Sequence, residues 1–161
     1  MEASGHVVTN EGRRYLKLAR SLALPIDEAW AFLTESELTE RWFGPWEGDA
    51  QPGGSVRVRM RFESNEPALR VGIRACEAPN RLVLHVLDEG ADWELGFELE
   101  DDGPEDTVLI FTQLLTERIE IGEVGPGWEY YLDLLVAATE DTEEPSFEHY
   151  FPAMSAQYRA M

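Results

Sequence analysis

A helical stripe that arrives only after a long succession of alternating segments sets the terms for this chain. Between Pro126 and Thr139, the residues Trp128, Tyr131, Leu132, Leu135 and Val136 fall at i, i+3, i+4, i+7 and i+8, which is one face of an α-helix. Gly125-Pro126-Gly127 reads as a turn in front of it, with Pro126 at the first helical position, where its fixed φ is suited. The chain before this point reads mainly as strands. One late helix must therefore cover the apolar face of a sheet, either as a solid core or around a cavity.

The strands follow from period-two alternation, except Arg81 to Leu87, which is more uniformly apolar. Arg14 to Leu24 places Leu16, Leu18, Leu22 and Leu24 on one face, and Arg20 shares that face as the exception. Its more ordinary outcome is a guanidinium that reaches water from the strand end; the other is burial against a carboxylate. Two short helices are expected next, one from Pro25 with Ile26, Ala29, Trp30 and Leu33 on its face, and one from Ser36 to a stop at Phe43-Gly44-Pro45. A meander follows: Ser55 to Phe62 after the turn Pro52-Gly53-Gly54, then Leu69 to Ala75, Arg81 to Leu87, Trp93 to Glu100, and Thr107 to Leu115. Arg57, Arg59, Arg61, Arg70 and Arg74 point outward, where pairing with neighbouring acidic side chains is expected to occupy them.

This order gives an α+β helix-grip fold: a curved antiparallel sheet of about six to seven strands, two short helices, and a long C-terminal helix lying across the sheet. Residues 1–13 are polar and aperiodic and are expected to be a flexible lead-in, residues 14–140 the domain, and residues 141–161 an extension packed on the domain or on a dimer partner. Phe147, Tyr150, Phe151, Met154 and Tyr158 make that extension too apolar for a disordered tail. A cap over the cavity mouth and a homodimer contact are its sharper alternatives.

Charge and cysteine content narrow the function. With 13 basic against 32 acidic residues the net charge is −19, which repels nucleic acid and anionic membranes. The single cysteine, Cys76, excludes an intramolecular disulfide and reads as a packed strand thiol. The chain has neither a leader-like N-terminus nor an apolar stretch of membrane-spanning length, so a cytoplasmic, soluble protein is expected. His6, His85 and His149 are scattered without metal-ligand spacing, and no metal or cofactor is implied. Gly122, Gly125 and Gly127 lack the lysine and spacing of a phosphate loop and read as a hinge.

The segment Arg20-Ser21-Leu22-Ala23-Leu24-Pro25-Ile26-Asp27-Glu28-Ala29-Trp30, followed by Leu38-Thr39-Glu40-Arg41-Trp42-Phe43-Gly44-Pro45, resembles the opening of the START-like (SRPBCC, birch-pollen-allergen-like) superfamily. Pro52-Gly53-Gly54, Gly72, Pro79-Asn80-Arg81-Leu82, and Gly127-Trp128 with Leu132 and Leu135 extend the resemblance to its heat-shock protein 90 ATPase activator homologue family. What it implies is the helix-grip fold with a cavity between helix and sheet. Many members have a histidine on the inner side of the last strand, where this chain has Gln113. Glutamine can hydrogen-bond a ligand but cannot shuttle a proton near neutral pH.

A hydrophobic small-molecule site is therefore expected, with its walls drawn from each inward-facing element. From the helices these are Trp30, Trp42, Phe43, Trp128, Tyr131, Leu132 and Leu135. From the strands they are Val58, Met60, Phe62, Val71, Ile73, Trp93, Leu95, Phe97 and Phe111. Arg20, His85, Gln113 and Tyr131 are the candidate polar groups; a core or surface histidine is the plainer reading of His85. Two alternatives stand beside a binding domain: a polyketide cyclase- or hydratase-like enzyme, which needs converging polar groups including a titratable one, and a chaperone-associated interaction module, which needs an exposed patch.

Overall fold

The computed structural model describes residues 2–88 and 92–161. Strands β1 (His6–Asn10), β2 (Arg13–Leu22), β3 (Trp46–Gly48), β4 (Ser55–Arg59), β5 (Ala68–Glu77), β6 (Arg81–Val86), β7 (Trp93–Asp101) and β8 (Thr107–Leu114) form one antiparallel sheet. Its order is β1-β2-β8-β7-β6-β5-β4-β3. Helices α1 (Ile26–Thr34) and α2 (Ser36–Thr39) make the excursion between β2 and β3, α3 (Ile121–Glu140) lies across the sheet, and α4 (Ser155–Arg159) follows a 3-10 turn at Phe147–His149. This is the helix-grip architecture.

Two strands lie where the sequence reading has none. Residues 6–10 are β1, paired along its length with β2, instead of an irregular lead-in. The two-residue connection Glu11-Gly12 has positive φ at both positions (52° and 78°), the geometry whose twist suits a tight hairpin. As an outer strand β1 buries no full face, and alternation is accordingly absent from its sequence. The other addition, β3, is three residues long and pairs with β4. Gly44 permits that pairing: a Cβ there would lie 1.8 Å from the carbonyl oxygen of Arg59, whose N–H donates to Pro45. In the other direction β4 ends at Arg59, so Phe62 falls in the following turn, beneath the Arg61 guanidinium.

Helix α3 starts at Ile121, not at Pro126, so the glycines lie inside its first turns. Glu120 caps it by accepting from Gly122 N–H at 2.9 Å. Pro126 lacks the N–H that would bond the carbonyl of Gly122 four residues back. That carbonyl instead accepts from the Ser155 hydroxyl at 2.7 Å. Gly125 lies directly under the Tyr158 ring, where a Cβ would come within 2.4 Å. Gly122 and Gly125 form a docking surface for α4, and Gly127 lies within the helix, which corrects the hinge reading. The tail packs on its own chain through Tyr150, Met154 and Tyr158, each at most 2% exposed.

Arg20 takes the buried course. Its NH2 lies 2.7 Å from Glu129 Oε1 and its Nε 2.8 Å from Asp133 Oδ1, one helical turn apart on α3. Glu129 is 2% exposed and also accepts from Ser4 N–H and Ser4 Oγ (both 2.6 Å) and from the Tyr158 hydroxyl. Asp133 accepts from Tyr150 at 2.7 Å. Burial alone would raise the pKa of Glu129; the bonds from Ser4, Tyr158 and Arg20 outweigh it and hold the carboxyl below its ordinary value. Burial and the neighbouring carboxylate together push the Tyr158 hydroxyl well above its ordinary range, so it stays a donor. One ionic cluster thus ties the N-terminal segment, β2, α3 and the tail together.

Candidate functional site

Beneath the centre of α3 the sheet is filled. Leu132 and Leu135 are fully buried, as are Leu16, Leu18, Leu109 and Phe111 facing them from the strands. Phe111 meets the Trp128 indole at 4.2 Å between ring centres, and Phe97 continues the aromatic column at 5.2 Å from Phe111. Leucine and phenylalanine on β7 and β8 are long enough to meet the helix, and the layer closes there.

Toward β3 the filling fails. On β4 and β5 the inward positions are Val56, Val58, Val71 and Ile73, too short to reach the α1–α2 corner, and Gly44 and Ala50 contribute little bulk at the rim. The result is a pocket of about 120 Å³. Its sheet side continues through Leu82, Leu84 and Val86 on β6 and Leu95 and Phe97 on β7, with Leu69 and Cys76 at the ends of β5. Its other side is Leu33, Thr34, Thr39, Trp42 and Phe43, with Trp46 at the rim. Trp128 closes it toward α3 and stacks on Phe43, the rings 4° from parallel at 6.2 Å. The corner is held in place by the Trp42 indole, which donates to the Phe32 carbonyl at 2.7 Å.

The two hydroxyls of the pocket wall are already used. The Thr34 hydroxyl donates to Trp30 O at 2.9 Å and the Thr39 hydroxyl to Gly44 O at 2.8 Å. Among the described lining residues there is no carboxylate, imidazole, amine or guanidinium. The pocket therefore offers dispersion and desolvation, and among its described lining side chains only the Cys76 thiol could exchange a proton.

Of the residues singled out from sequence, Trp42, Phe43, Val58, Val71, Ile73, Leu95, Phe97 and Trp128 line this pocket. Phe111, Leu132 and Leu135 belong to the closed layer, and Met60 is buried just after β4 without lining the pocket. Trp30 and Trp93 are half-buried and Phe62 sits in a turn; none of the three reaches the pocket. Tyr131 turns aside, its hydroxyl donating to Glu63 Oε2 at 2.8 Å. Arg20 is committed to the ionic cluster. Gln113, fully buried on β8, accepts from the Trp128 indole N–H at 2.7 Å.

His85 is on the outer face of the sheet, opposite in parity to Leu84 and Val86. Its Nδ1 lies 3.0 Å from Arg74 NH2, and its Nε2 lies 2.7 Å from Asp92 Oδ1. Arginine can only donate, so Nδ1 accepts and the proton sits on Nε2, aimed at the carboxylate. That contact holds Asp92 below its ordinary pKa. On the same face Arg59 meets Glu66 at 3.3 Å, but Arg57 lies directly opposite Arg70, so the expected pairing with acidic neighbours is only partial.

Sequence reasoning missed the rim and the β6 wall. Leu82, Leu84 and Val86 alternate, and only the apolar outer residue Val83 between them hid the pattern. Ala50 and Gly44 carry no signal of their own; what would have exposed them is the run of short side chains facing them from β4 and β5.

The sequence model of the family described as Activator of Hsp90 ATPase homolog 1-like protein matches residues 23–140. That span contains every strand except β1 and β2, together with α1 to α3. The structure is similar to that of CalU16 from Micromonospora echinospora, with 26% identity and a TM-score of 0.78 over 97% of this chain and 94% of that one. It is also similar to DynU16, from the dynemicin biosynthetic locus, with 23% identity and a TM-score of 0.68 over 78% of this chain and 47% of that one. A conserved protein of unknown function from Enterococcus faecalis, EF2215, has 18% identity and a TM-score of 0.74 over 97% of this chain and 88% of that one. At the last two identities the likeness is one of fold. No curated protein matches the chain. No helix among the described residues is long and apolar enough to cross a membrane.

Proposed function

The chain belongs to the Activator of Hsp90 ATPase homolog 1-like family, and on that premise we propose that it is a START-like binding domain for a small apolar molecule. The observation that carries this reading is the pocket between the α1–α2 corner and β4–β7, apolar on every wall and bounded by aromatic rings at one end. A cavity of about 150 Å³ lined by Leu, Ile and Phe stays dry and takes up benzene. At about 120 Å³ this pocket suits one ring or a short branched chain, either a whole ligand or the end of a larger one. Burial of such a group is favourable at about 25 cal/mol per Å² of apolar surface.

The pocket wall also weighs against the enzyme alternative at this place. General acid–base work needs a titratable group within hydrogen-bond reach of the substrate, and the described lining residues supply none but the thiol of Cys76.

Ethylbenzene is a suitable probe, followed by methyl NMR. Shifts are expected at Val58, Val71, Ile73 and Leu84. The Val71→Phe variant, whose ring occupies the same space, is expected to bind at least tenfold more weakly while remaining folded. Equal affinity in the two proteins, or shifts confined to surface methyls, would refute the proposal.

A further inference from the structure

Gln113 is fully buried, and its side-chain nitrogen is the one buried side-chain nitrogen or oxygen without a hydrogen-bond partner among the described residues. The orientation of the amide is fixed by its neighbour. An indole N–H can only donate, so the atom 2.7 Å from Trp128 Nε1 must be the oxygen, and Nε2 carries the two unmet donors. An enclosed donor of this kind is costly, and native interiors rarely keep one without a reason.

The location of the amide supplies the reason. In the sheet Gln113 lies directly opposite Leu95, which lines the pocket, and its hydrogen-bond partner Trp128 is the end wall of the pocket. Gln113 itself stands behind that wall. Contact between Nε2 and a ligand pressed against Leu95 and Trp128 therefore requires the indole to move aside. The hydroxyls of Thr34 and Thr39 do not compete, because both are committed to main-chain carbonyls. No cation lines the pocket, and the chain carries a net charge of −19, so an anionic ligand has nothing to receive it.

Resting on the binding reading above, we infer that the ligand is a neutral apolar carbonyl compound whose oxygen accepts from Gln113 Nε2, with its hydrocarbon body in the pocket. Gln113 acts here as a specificity-determining residue. It discriminates by rewarding a ligand that satisfies its donor, since the same donor is left unpaired by a hydrocarbon of the same shape.

The test uses acetophenone and ethylbenzene, which differ chiefly in the oxygen, against the native protein and the Gln113→Met variant. The ratio of their dissociation constants is expected to shift about tenfold toward ethylbenzene in the variant, the size of one neutral hydrogen bond. In the native protein the side-chain amide protons of Gln113 are expected to move downfield with acetophenone and not with ethylbenzene. That second readout decides the matter if the variant does not fold. An unchanged ratio, or an unmoved Gln113 amide with acetophenone bound, would overturn the inference while leaving the binding proposal intact. Failure of both probes to bind the native protein would overturn the binding proposal first, and this inference with it.

Discussion

Replacing Glu129 with glutamine tests whether the ionic cluster fastens the ends of the chain to the domain. Each partner of Glu129 in this structure is a donor: the N–H and hydroxyl of Ser4, the N–H of Gly5, the Tyr158 hydroxyl and the Arg20 guanidinium. The amide of Glu129→Gln keeps one acceptor oxygen and turns two N–H groups toward the rest. If its oxygen stays with Ser4 N–H and Tyr158, the amide nitrogen faces Arg20, donor against donor. Removing one member of a buried pair costs about 3–5 kcal/mol. Arg20 keeps Asp133 at 2.8 Å and is 13% exposed, which lowers the expected loss to about 2–3 kcal/mol.

Urea unfolding followed by tryptophan fluorescence reads this directly. With an m-value of about 2 kcal/mol/M, the midpoint at pH 7 should fall by about 1–1.5 M. The pH dependence gives a second reading. Glu129 ionises at a lower pH in the folded chain than its ordinary value of 4.5, so the unfolded state binds more protons between the two values. Its contribution is complete above the unfolded pKa and disappears as pH falls through the folded one. The gap between native protein and variant should therefore close on acidification below about pH 4.5, because the variant has no such proton to gain. A midpoint shift below about 0.3 M at pH 7, or a gap that persists unchanged into acid, would refute the reasoning.

Two further substitutions address α4. Gly125→Ala places a Cβ against the Tyr158 ring and should cost about 1–3 kcal/mol, seen as faster proteolysis within residues 141–161 before the domain itself is cut. Ser155→Ala leaves the Gly122 carbonyl without its donor and should lower stability by about 1 kcal/mol in urea; an unchanged midpoint would mean that this carbonyl finds another partner.

These sites also mark how far the sequence could be read. Alternation was enough for β4, β5, β7 and β8, since each of these strands buries one face, a uniformly apolar run between turns was enough for β6, and the stripe from Trp128 to Val136 was enough to lay α3 across them. Strands β1 and β3 bury little and so leave no alternation. The start of α3 was misplaced because Gly125-Pro126-Gly127 reads locally as a turn. Its tolerance within a helix depends on Ser155 and Tyr158, which are 33 residues away from Gly122 and Gly125 respectively. Arg20 failed for a similar reason: Glu129 and Asp133 are spaced i and i+4 on one helical face, but nothing local connects them to β2. At the site, aromatic content pointed to the region and not to the void. The void comes from short side chains on β4 and β5 facing a corner that Trp42 holds away from them.

The central claim is that the gap beneath the α1–α2 corner is a binding site for an apolar group. A crystal structure of the protein exposed to ethylbenzene vapour tests it most directly. Ordered ligand is expected between Val58, Val71, Ile73 and Phe97, with its inner end against Trp128. A pocket that remains empty at saturating vapour, or is closed by the side chains around it, would contradict the account.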